Sequence, residues 1–316
     1  MTLILKYALF ILCLALLPFL TIGWLRKIKA LLQGRIGAPI VQPFFEFIKL
    51  LRKSQKVSET TTWIFRTAAA LNAATMLLAA FLVPWLSFKP NFGGDDLFFL
   101  LYLLALPRFM TILSGLDAGS PFGAFGSSRE AYLAMLVEPA MFISLVALSL
   151  LSRTTSLSAI FDLSHRCSLY ELPVWLAGAL ALFLASIVDL SRMPIDDPST
   201  HLELTMVHEA MTIENSGKNL ALVEWSYFLK IVVLYGLTAQ CLLHSLTYAC
   251  HFSQLIAGVL SIALLFALAA VTAIVESVSV KLRWRAAPDF IAYALTASLF
   301  AMAGALIGGI YVTHNL

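Results

Sequence analysis

The sequence LIAGVLSIALLFALAAVTAIV, from Leu255 to Val275, is an uninterrupted apolar run. It is 21 residues long and carries no charged side chain. A bilayer core about 30 Å thick needs roughly 20 consecutive apolar residues for one helical crossing. The stretch therefore predicts a membrane-spanning helix, and seven comparable runs occur elsewhere in the chain.

The composition of the whole chain points the same way. Of its 316 residues, 60% are hydrophobic and 12% are charged, and the mean hydropathy is +0.88. Soluble domains are about 45–50% apolar and about 25% charged, so a water-soluble or disordered chain is excluded. We expect an all-α polytopic membrane protein. Its net charge of +3 gives no footprint for nucleic acid, and its four cysteines form no C-x-x-C pair that favours a metal or cluster site.

The apolar runs predict about eight transmembrane helices in a single integral membrane domain, residues 1–316. The first run has no small-x-small cleavage site after it, so we interpret it as a retained span. The predicted spans lie near residues 2–25, 63–88, 97–114, 129–151, 173–190, 225–246, 252–275 and 288–312.

Basic residues are unevenly shared among the connections. Eight Lys or Arg lie between residues 26 and 62, and three lie between residues 281 and 285. The connections after spans two, four and six hold Lys89, Arg153 and Arg166. The positive-inside rule then predicts cytoplasmic odd-numbered connections and both termini outside, in the inner (cytoplasmic) membrane of a cell.

The first connection contains an amphipathic pattern. Phe44, Phe47, Ile48 and Leu51 recur at helical spacing, with basic residues in other directions. This predicts an interfacial helix of about three turns. It either anchors the chain on anionic lipid or forms one wall of a lateral entrance into the bundle.

Several charged residues fall within or at the ends of predicted spans, where each costs about 2.5–3.5 kcal/mol. One interpretation is a structural ion pair to Arg108, which would leave several carboxyls unpaired. An unpaired buried carboxyl can take up and release protons near neutral pH, and Glu130 and Glu138, about 12 Å apart along a helix, suit two stations of one proton path. The charged residues are Arg108, Glu130, Glu138, Asp189, Glu224 and Lys230.

The connection from residue 191 to 223 is the longest polar one. Asp197 followed by Pro198 predicts a helix that runs to about Ala210. His201 and His208 share a face at i, i+7, but no metal-site pattern is present and we expect no metal. The loop is either solvated charge or a proton-collecting relay, built on Asp196, Asp197, Glu203, Glu209 and Glu214.

Two loops resemble those of a known family. The stretch RMPIDDP from Arg192 to Pro198, followed by Glu203-Leu204 and Glu214-x-Ser216-Gly217, resembles the signature loop of NADH dehydrogenase subunit 1, a membrane subunit of complex I. The stretch QGRIGAP from Gln33 to Pro39 is similar to the first cytoplasmic loop of that family. The resemblance covers nearly the whole chain.

A third stretch favours one branch of the family. SGLDAGSPFG, from Ser114 to Gly123, resembles the membrane subunits of group 4 membrane-bound nickel-iron hydrogenases and formate hydrogenlyases. The chain departs from the family pattern at Ser199 and His201, where acids are usual, and at Asp189, where Glu is usual.

The resemblance implies a membrane subunit of a complex I-like, energy-converting complex. Such a subunit has no catalytic centre and binds no cofactor. It docks a hydrogenase-like large subunit and iron-sulfur subunits, which carry iron-sulfur clusters and a nickel-iron centre, and it adjoins antiporter-like membrane subunits. The cradling loops would be residues 26–62, 114–128, 191–224 and 276–287, with docking residues Arg35, Gln42, Asp117, Arg129 and Arg283.

The same resemblance implies proton or sodium translocation coupled to redox turnover in the arm. The path would use Glu130, Glu138, Asp189, Asp196, Glu203, His201, Glu214 and Glu224, with Arg108, Arg192 and Lys230 in ion pairs. A quinone site, as in an NADH:quinone oxidoreductase, is the alternative. A secondary transporter or a passive anchor is a second alternative, although the chain shows no internal repeat and a passive anchor does not explain acids inside spans.

Overall fold

The computed structural model describes residues 3–58, 61–84, 94–163, 167–196, 206–250 and 252–314. Within these residues the chain is helical and contains no strand, so the predicted all-α class is confirmed. The helices are α1 (Leu3–Leu32), α2 (Gln42–Leu51), α3 (Trp63–Leu82), α4 (Leu97–Asp117), α5 (Pro121–Ser152), α6 (Leu157–Ile160), α7 (Leu172–Asp189), α8 (His208–Thr212), α9 (Gly217–Leu246), α10 (Gln254–Val278) and α11 (Ala287–His314).

Eight of the described helices are long and apolar enough to cross a membrane. They are α1, α3, α4, α5, α7, α9, α10 and α11, the last extended by a 3₁₀ turn at Trp284–Ala286. The predicted number of spans is therefore confirmed.

Three helices extend seven or eight residues beyond the spans that the hydropathy pattern predicted. Helix α1 continues to Leu32, α5 begins at Pro121 and α9 begins at Gly217, so residues 26–32, 121–128 and 217–224 are helical and not loop. Hydropathy detects only the lipid-depth part of a helix, whereas the backbone pattern continues into the polar ends. Helix α3 is shorter and ends at Leu82, and residues 85–93 lie outside the described part of the chain.

The predicted amphipathic helix is present as α2. The ring centroids of Phe44 and Phe47 each lie 5.4 Å from that of Phe19 on α1, and Phe47 also meets Trp225 on α9 at 6.1 Å. The backbone before α2 approaches α1 at Gly23, where any Cβ would overlap the Ile40 carbonyl oxygen. Glycine is required there because the two backbones touch.

Helix α9 lies at the centre of the bundle, with an unbroken buried run from Ile231 to Cys241. It packs against α3, α7, α10, α1 and α2, while α11 packs against α5 and α7. The buried side chains form one apolar core around these helices. This arrangement places α7 between α5 and α9, and the C-terminal end of α7 meets side chains from α4 and α9.

The connections sort onto two ends of the bundle. We call the end that carries residues 33–58, 61–62, 118–120, 190–196, 206–216 and 279–286 the loop face. There the backbone amide of Lys56 donates to Ser216, and that of Leu282 donates to the Pro194 carbonyl at 2.8 Å. At the opposite end the backbone amide of Cys167 donates to Thr247. The grouping agrees with eight alternating crossings; the cytoplasmic side stays a prediction.

Candidate functional site: a charged cluster between α4, α5, α7 and α9

Arg108 on α4 holds three carboxylates. Its Nη1 donates to Glu138 at 3.1 Å, its Nε lies 3.2 Å from Glu130, and its Nη2 pairs with Asp189. The Arg108 side chain is 5% exposed. The guanidinium presents five N–H donors in a planar fork, which is why one residue can reach acids on two different helices.

Lys230 on α9 supplies a second positive charge. Its Nζ lies 2.8 Å from Asp189 Oδ2 and also donates to the Asp189 backbone carbonyl at 3.0 Å. Asp189 is the last residue of α7, where carbonyl groups have no partner within the helix. Lys230 therefore fixes both the side chain and the helix end of Asp189.

The expectation that several carboxyls in the spans would be unpaired is wrong. Glu130, Glu138 and Asp189 each contact Arg108, and Asp189 contacts Lys230 as well. Sequence reasoning assumed that one arginine pairs with one acid, whereas the Arg108 fork spans three. With all five groups ionised the cluster carries three negative and two positive charges, a net charge of −1.

The two glutamates of α5 occupy different surroundings. The side chain of Glu130 is 5% exposed and accepts a long hydrogen bond from the Ser191 hydroxyl at 3.5 Å. The side chain of Glu138, two turns further on, is 48% exposed. Glu130 thus faces the interior near the loop face, and Glu138 faces the flank of the bundle.

Three cavities meet around this cluster. The loop-face cavity, about 520 Å³, is lined by Arg192, Asp196, His208, Glu224, Tyr227 and Glu276 among others. The middle cavity, about 30 Å³, is lined by Arg108, Glu130, Asp189, His208, Tyr227 and Lys230 among others. The lateral cavity, about 220 Å³, is lined by Phe98, Tyr102, Arg108, Glu138, Phe142 and Asp189 among others.

Neighbouring cavities share wall residues. His208 and Tyr227 line both the loop-face and the middle cavity, and Arg108 and Asp189 line both the middle and the lateral cavity. The middle cavity has room for a water molecule. The cluster therefore lies between a loop-face cavity that contains several charged side chains and an apolar groove on the flank.

A second set of ion pairs lies at the loop face. Glu276 at the end of α10, with a fully buried side chain, contacts Arg192 at 3.1 Å and Lys29 at 3.1 Å. Asp196 contacts Lys281 at 2.8 Å. Burial opposes the charged form of Arg192, but the nearby Tyr227 and Glu276 raise its pKa above the ordinary value. We call these residues the loop-face pairs.

His208 is a site residue that sequence reasoning considered only as a metal ligand. Its ring stacks on Tyr227 with centroids 5.4 Å apart, and the Arg192 guanidinium lies 5.5 Å from the centroid of the same Tyr227 ring. Burial lowers the pKa of His208, so the imidazole is neutral near pH 7. A neutral imidazole has one donor and one acceptor nitrogen. In the sequence, the signal that could have identified His208 as a site residue was its position in the acidic loop.

The remaining predicted residues are dispersed. Glu224 lines the loop-face cavity, and Glu214 is exposed in the turn before α9. His201, Glu203 and most of the helix predicted from Asp197 lie outside the described residues; α8 covers its end.

The predicted docking residues divide into two kinds. Arg35 and Arg283 are exposed, and Gln42 bonds within α2. Asp117 accepts hydrogen bonds from the backbone amides of Thr62 and Phe65, which caps α3, and Arg129 donates to the Met206 carbonyl and lies over the Trp284 ring. Among the described residues no group of His, Cys, Asp and Glu could hold a metal ion.

The fold and the site define an all-α polytopic membrane protein with an ionisable cluster buried among its spans. The family model described as NADH dehydrogenase matches residues 5–306, so the chain belongs to that family, as its resemblance predicted.

Two relatives come from Escherichia coli (strain K12). Hydrogenase-4 component C is 34% identical over 267 residues, covering 83% of each chain. Formate hydrogenlyase subunit 4 is 33% identical over 224 residues, covering 70% of this chain and 71% of the relative.

A solved structure shares the fold. It is the membrane-bound sulfane sulfur reductase, an archaeal respiratory membrane complex, and one of its chains matches with a TM-score of 0.79 at 17% identity, covering 96% of this chain and 99% of that one. The protein is a complex I-like membrane subunit, homologous to subunits of hydrogenase-4 and formate hydrogenlyase.

Proposed function

We propose that this chain docks a peripheral, hydrogenase-like electron-transfer arm and couples its redox reaction to proton or sodium translocation. The relatives belong, by name, to hydrogenase and formate hydrogenlyase systems. The arm would supply the iron-sulfur clusters and the nickel-iron centre. This chain would contribute ionisable groups and bind no redox centre.

The observation that carries the proposal is the adjacency of three cavities around the charged cluster. Asp196 and Glu224 line the loop-face cavity, Glu130 and Asp189 line the middle one, and Glu138 lines the lateral one. Groups that exchange protons must lie within hydrogen-bond reach or be joined by one water. The residues shared between neighbouring cavities support such a sequence of steps from the loop face to the flank.

The loop face is the docking side in this proposal. It carries the exposed Arg35 and Arg283 and the opening of the loop-face cavity. An arm seated there would cover the opening and change its charge and hydration during turnover. The basic residues of connections one and seven favour a cytoplasmic position for this face, with both termini outside.

The flank around Glu138 is the exit in this proposal. Phe98, Tyr102 and Phe142 form the apolar rim of the lateral cavity, and Tyr102 is 75% exposed. A half-exposed carboxylate at membrane depth is costly against lipid. A neighbouring antiporter-like membrane subunit would cover the groove and accept the ion.

The volume of the loop-face cavity favours a second candidate, a quinone site. At about 520 Å³ it falls within the range of small-molecule sites, about 300–1,000 Å³. Purification of the chain with its neighbours separates the two candidates. Nickel with hydrogen turnover selects the hydrogenase-type complex, and flavin with quinone reduction selects the complex I type.

The test of coupling is Glu138→Gln in the assembled complex. We expect ion uptake into vesicles per turnover to be abolished, because glutamine keeps the bulk and the Arg108 contact but exchanges no proton, while assembly is retained. Asp289→Asn, an exposed acid in the first turn of α11, is the control and should pump normally. Full pumping by Glu138→Gln would reduce Glu138 to a packing residue.

A further inference from the structure

Lys230 is the least explained member of the charged cluster. Its side chain is 13% exposed, and its amine contacts both the carboxylate and the backbone carbonyl of Asp189. Two hydrogen bonds to one residue are what a simple structural cation would make at a helix end. Lys230 also lies beside a cavity, which a simple structural role does not require.

Lys230 lines a cavity in addition to contacting its partner. Lys230 lines the middle cavity together with His208, Glu130 and Arg108. His208 also lines the loop-face cavity, and Asp189 also lines the lateral cavity. Lys230 therefore lies where the loop-face side of the proposed path meets the flank side.

The two basic residues of the cluster differ in chemistry. A guanidinium stays protonated in proteins, whereas a buried lysine amine can lose its proton. Arg108 is consequently a fixed charge that holds Glu130, Glu138 and Asp189. Of the two, Lys230 is the one that can alternate between charged and neutral forms.

We propose that Lys230 is a proton-carrying residue of the coupling path, and not only a structural counter-charge for Asp189. In the first step an N–H bond of the Lys230 ammonium breaks and an O–H bond forms on Asp189 Oδ2, which leaves a neutral amine and a neutral carboxyl. The net charge of the cluster stays at −1 during this transfer.

The next steps restore the starting state. Asp189 releases the proton into the lateral cavity toward Glu138, and the amine takes a new proton from the middle cavity, on the side where His208 and Glu130 lie. Protons enter at one end and leave at the other, and no oxidant or reductant takes part.

This inference rests on the proposed function, and the matched variants are Lys230→Arg and Lys230→Met. Arginine keeps a positive charge and donors for Asp189 but holds its proton; methionine removes the charge. Both are assayed in the assembled complex in vesicles, with ion uptake and redox turnover measured together.

We expect Lys230→Arg to assemble, to keep redox turnover, and to lose ion uptake per turnover by about tenfold or more, as for removal of a proton-transfer group. Lys230→Met should lower the amount of assembled complex because Asp189 loses one of its two cations. Ion uptake at the normal level in Lys230→Arg overturns the inference.

A second pair covers the case in which arginine does not fit. Lys230→His keeps a group that titrates near neutrality, and Lys230→Gln keeps a donor that does not titrate. The inference requires more ion uptake in the histidine variant than in the glutamine variant; equal uptake by the two overturns it.

The result for Glu138→Gln separates this inference from the proposed function. Loss of pumping in Glu138→Gln with normal pumping in Lys230→Arg leaves the path in place and removes Lys230 from it. Normal pumping in both variants removes the path as well.

Discussion

The charged cluster and the loop-face pairs use the same chemistry in different settings. In the cluster, three carboxylates share Arg108 and Lys230, and cavities adjoin them on two sides. At the loop face, the buried carboxylate of Glu276 is shared by Arg192 and Lys29. The cluster thus has more acidic than basic groups beside a water-sized cavity, whereas Glu276 lies between two bases.

The loop-face pairs also connect segments that are distant in sequence. Asp196 contacts Lys281 and accepts from the Val207 amide, and the Leu282 amide donates to the Pro194 carbonyl nearby. These contacts tie the long connection to the last one. In the proposed function the cluster carries protons between the spans, with Asp196 at its loop-face entrance, and the contacts of Glu276 with Arg192 and Lys29 shape the docking surface.

Arg108→Leu should have the largest effect. The variant strands three acids in or beside the interior, and removal of one partner of a buried ion pair costs about 3–5 kcal/mol. We expect little assembled complex in membranes, measured by quantitative blotting after mild solubilisation. Arg66→Leu, an exposed arginine on α3, is the matched control and should assemble normally. Normal levels of the Arg108 variant would show that the three acids of the cluster do not depend on Arg108 for assembly.

Glu276→Gln should have the next largest effect, and it should lower stability without changing coupling. It leaves Arg192 and Lys29 without their shared charge, at a cost of about 2 kcal/mol for lost charged hydrogen bonds. We expect a lower melting temperature of the purified complex, with ion uptake per turnover unchanged in the complexes that remain. Loss of coupling without loss of stability would place Glu276 in the path and contradict the division of roles.

The sequence predicted the membrane spans and identified the charged residues within them, but it did not predict how those charged residues pair. Long apolar runs report membrane crossings directly, and Arg108, Glu130, Glu138 and Asp189 were identified because charge inside a span is rare. Their convergence on one guanidinium depends on helix packing, which the pattern of a single helix does not contain.

Two further site residues have surroundings that the sequence pattern did not predict. His208 and Lys230 line the middle cavity because α8 folds against α4 and α5, and α9 packs against α3 and α7, which are contacts between segments distant in sequence. Asp117 resembled a docking residue in sequence, yet it caps α3 from the end of α4. Roles set by long-range contacts needed the structure.

Asp117→Ala tests an acid that belongs neither to the charged cluster nor to the loop-face pairs. Backbone amides of Thr62 and Phe65, at 2.9 and 3.1 Å, satisfy this carboxylate instead of basic side chains. Loss of such a cap costs about 1 kcal/mol. We expect a small decrease in thermal stability of the purified chain, and Asp117→Asn, which keeps an acceptor oxygen, should recover most of it. A loss as large as that of Arg108→Leu would show that docking or path chemistry passes through Asp117.

Asp95, at the end opposite the loop face, should give the smallest effect, and one that depends on pH. Partial burial acts to raise its pKa, but hydrogen bonds from the Ser158 amide at 2.8 Å and the Ser156 hydroxyl at 3.1 Å lower the pKa below its usual value. Its stabilising contribution is therefore present above the unfolded pKa, about 4, and is lost as the pH falls through the lower folded pKa.

Amide hydrogen exchange at Ser158 measures this contribution, since that amide is bound to the Asp95 carboxylate. We expect stronger protection in the native chain than in Asp95→Asn at about pH 6, and equal protection once the pH is below the folded pKa and Asp95 is protonated. Both forms are compared at each pH, which removes the intrinsic pH dependence of exchange. A difference that persists at acidic pH would mean that the contact between Asp95 and Ser158 depends on the shape of the side chain and not on its charge. A carboxylate outside the charged cluster would then need no ionisation for its role.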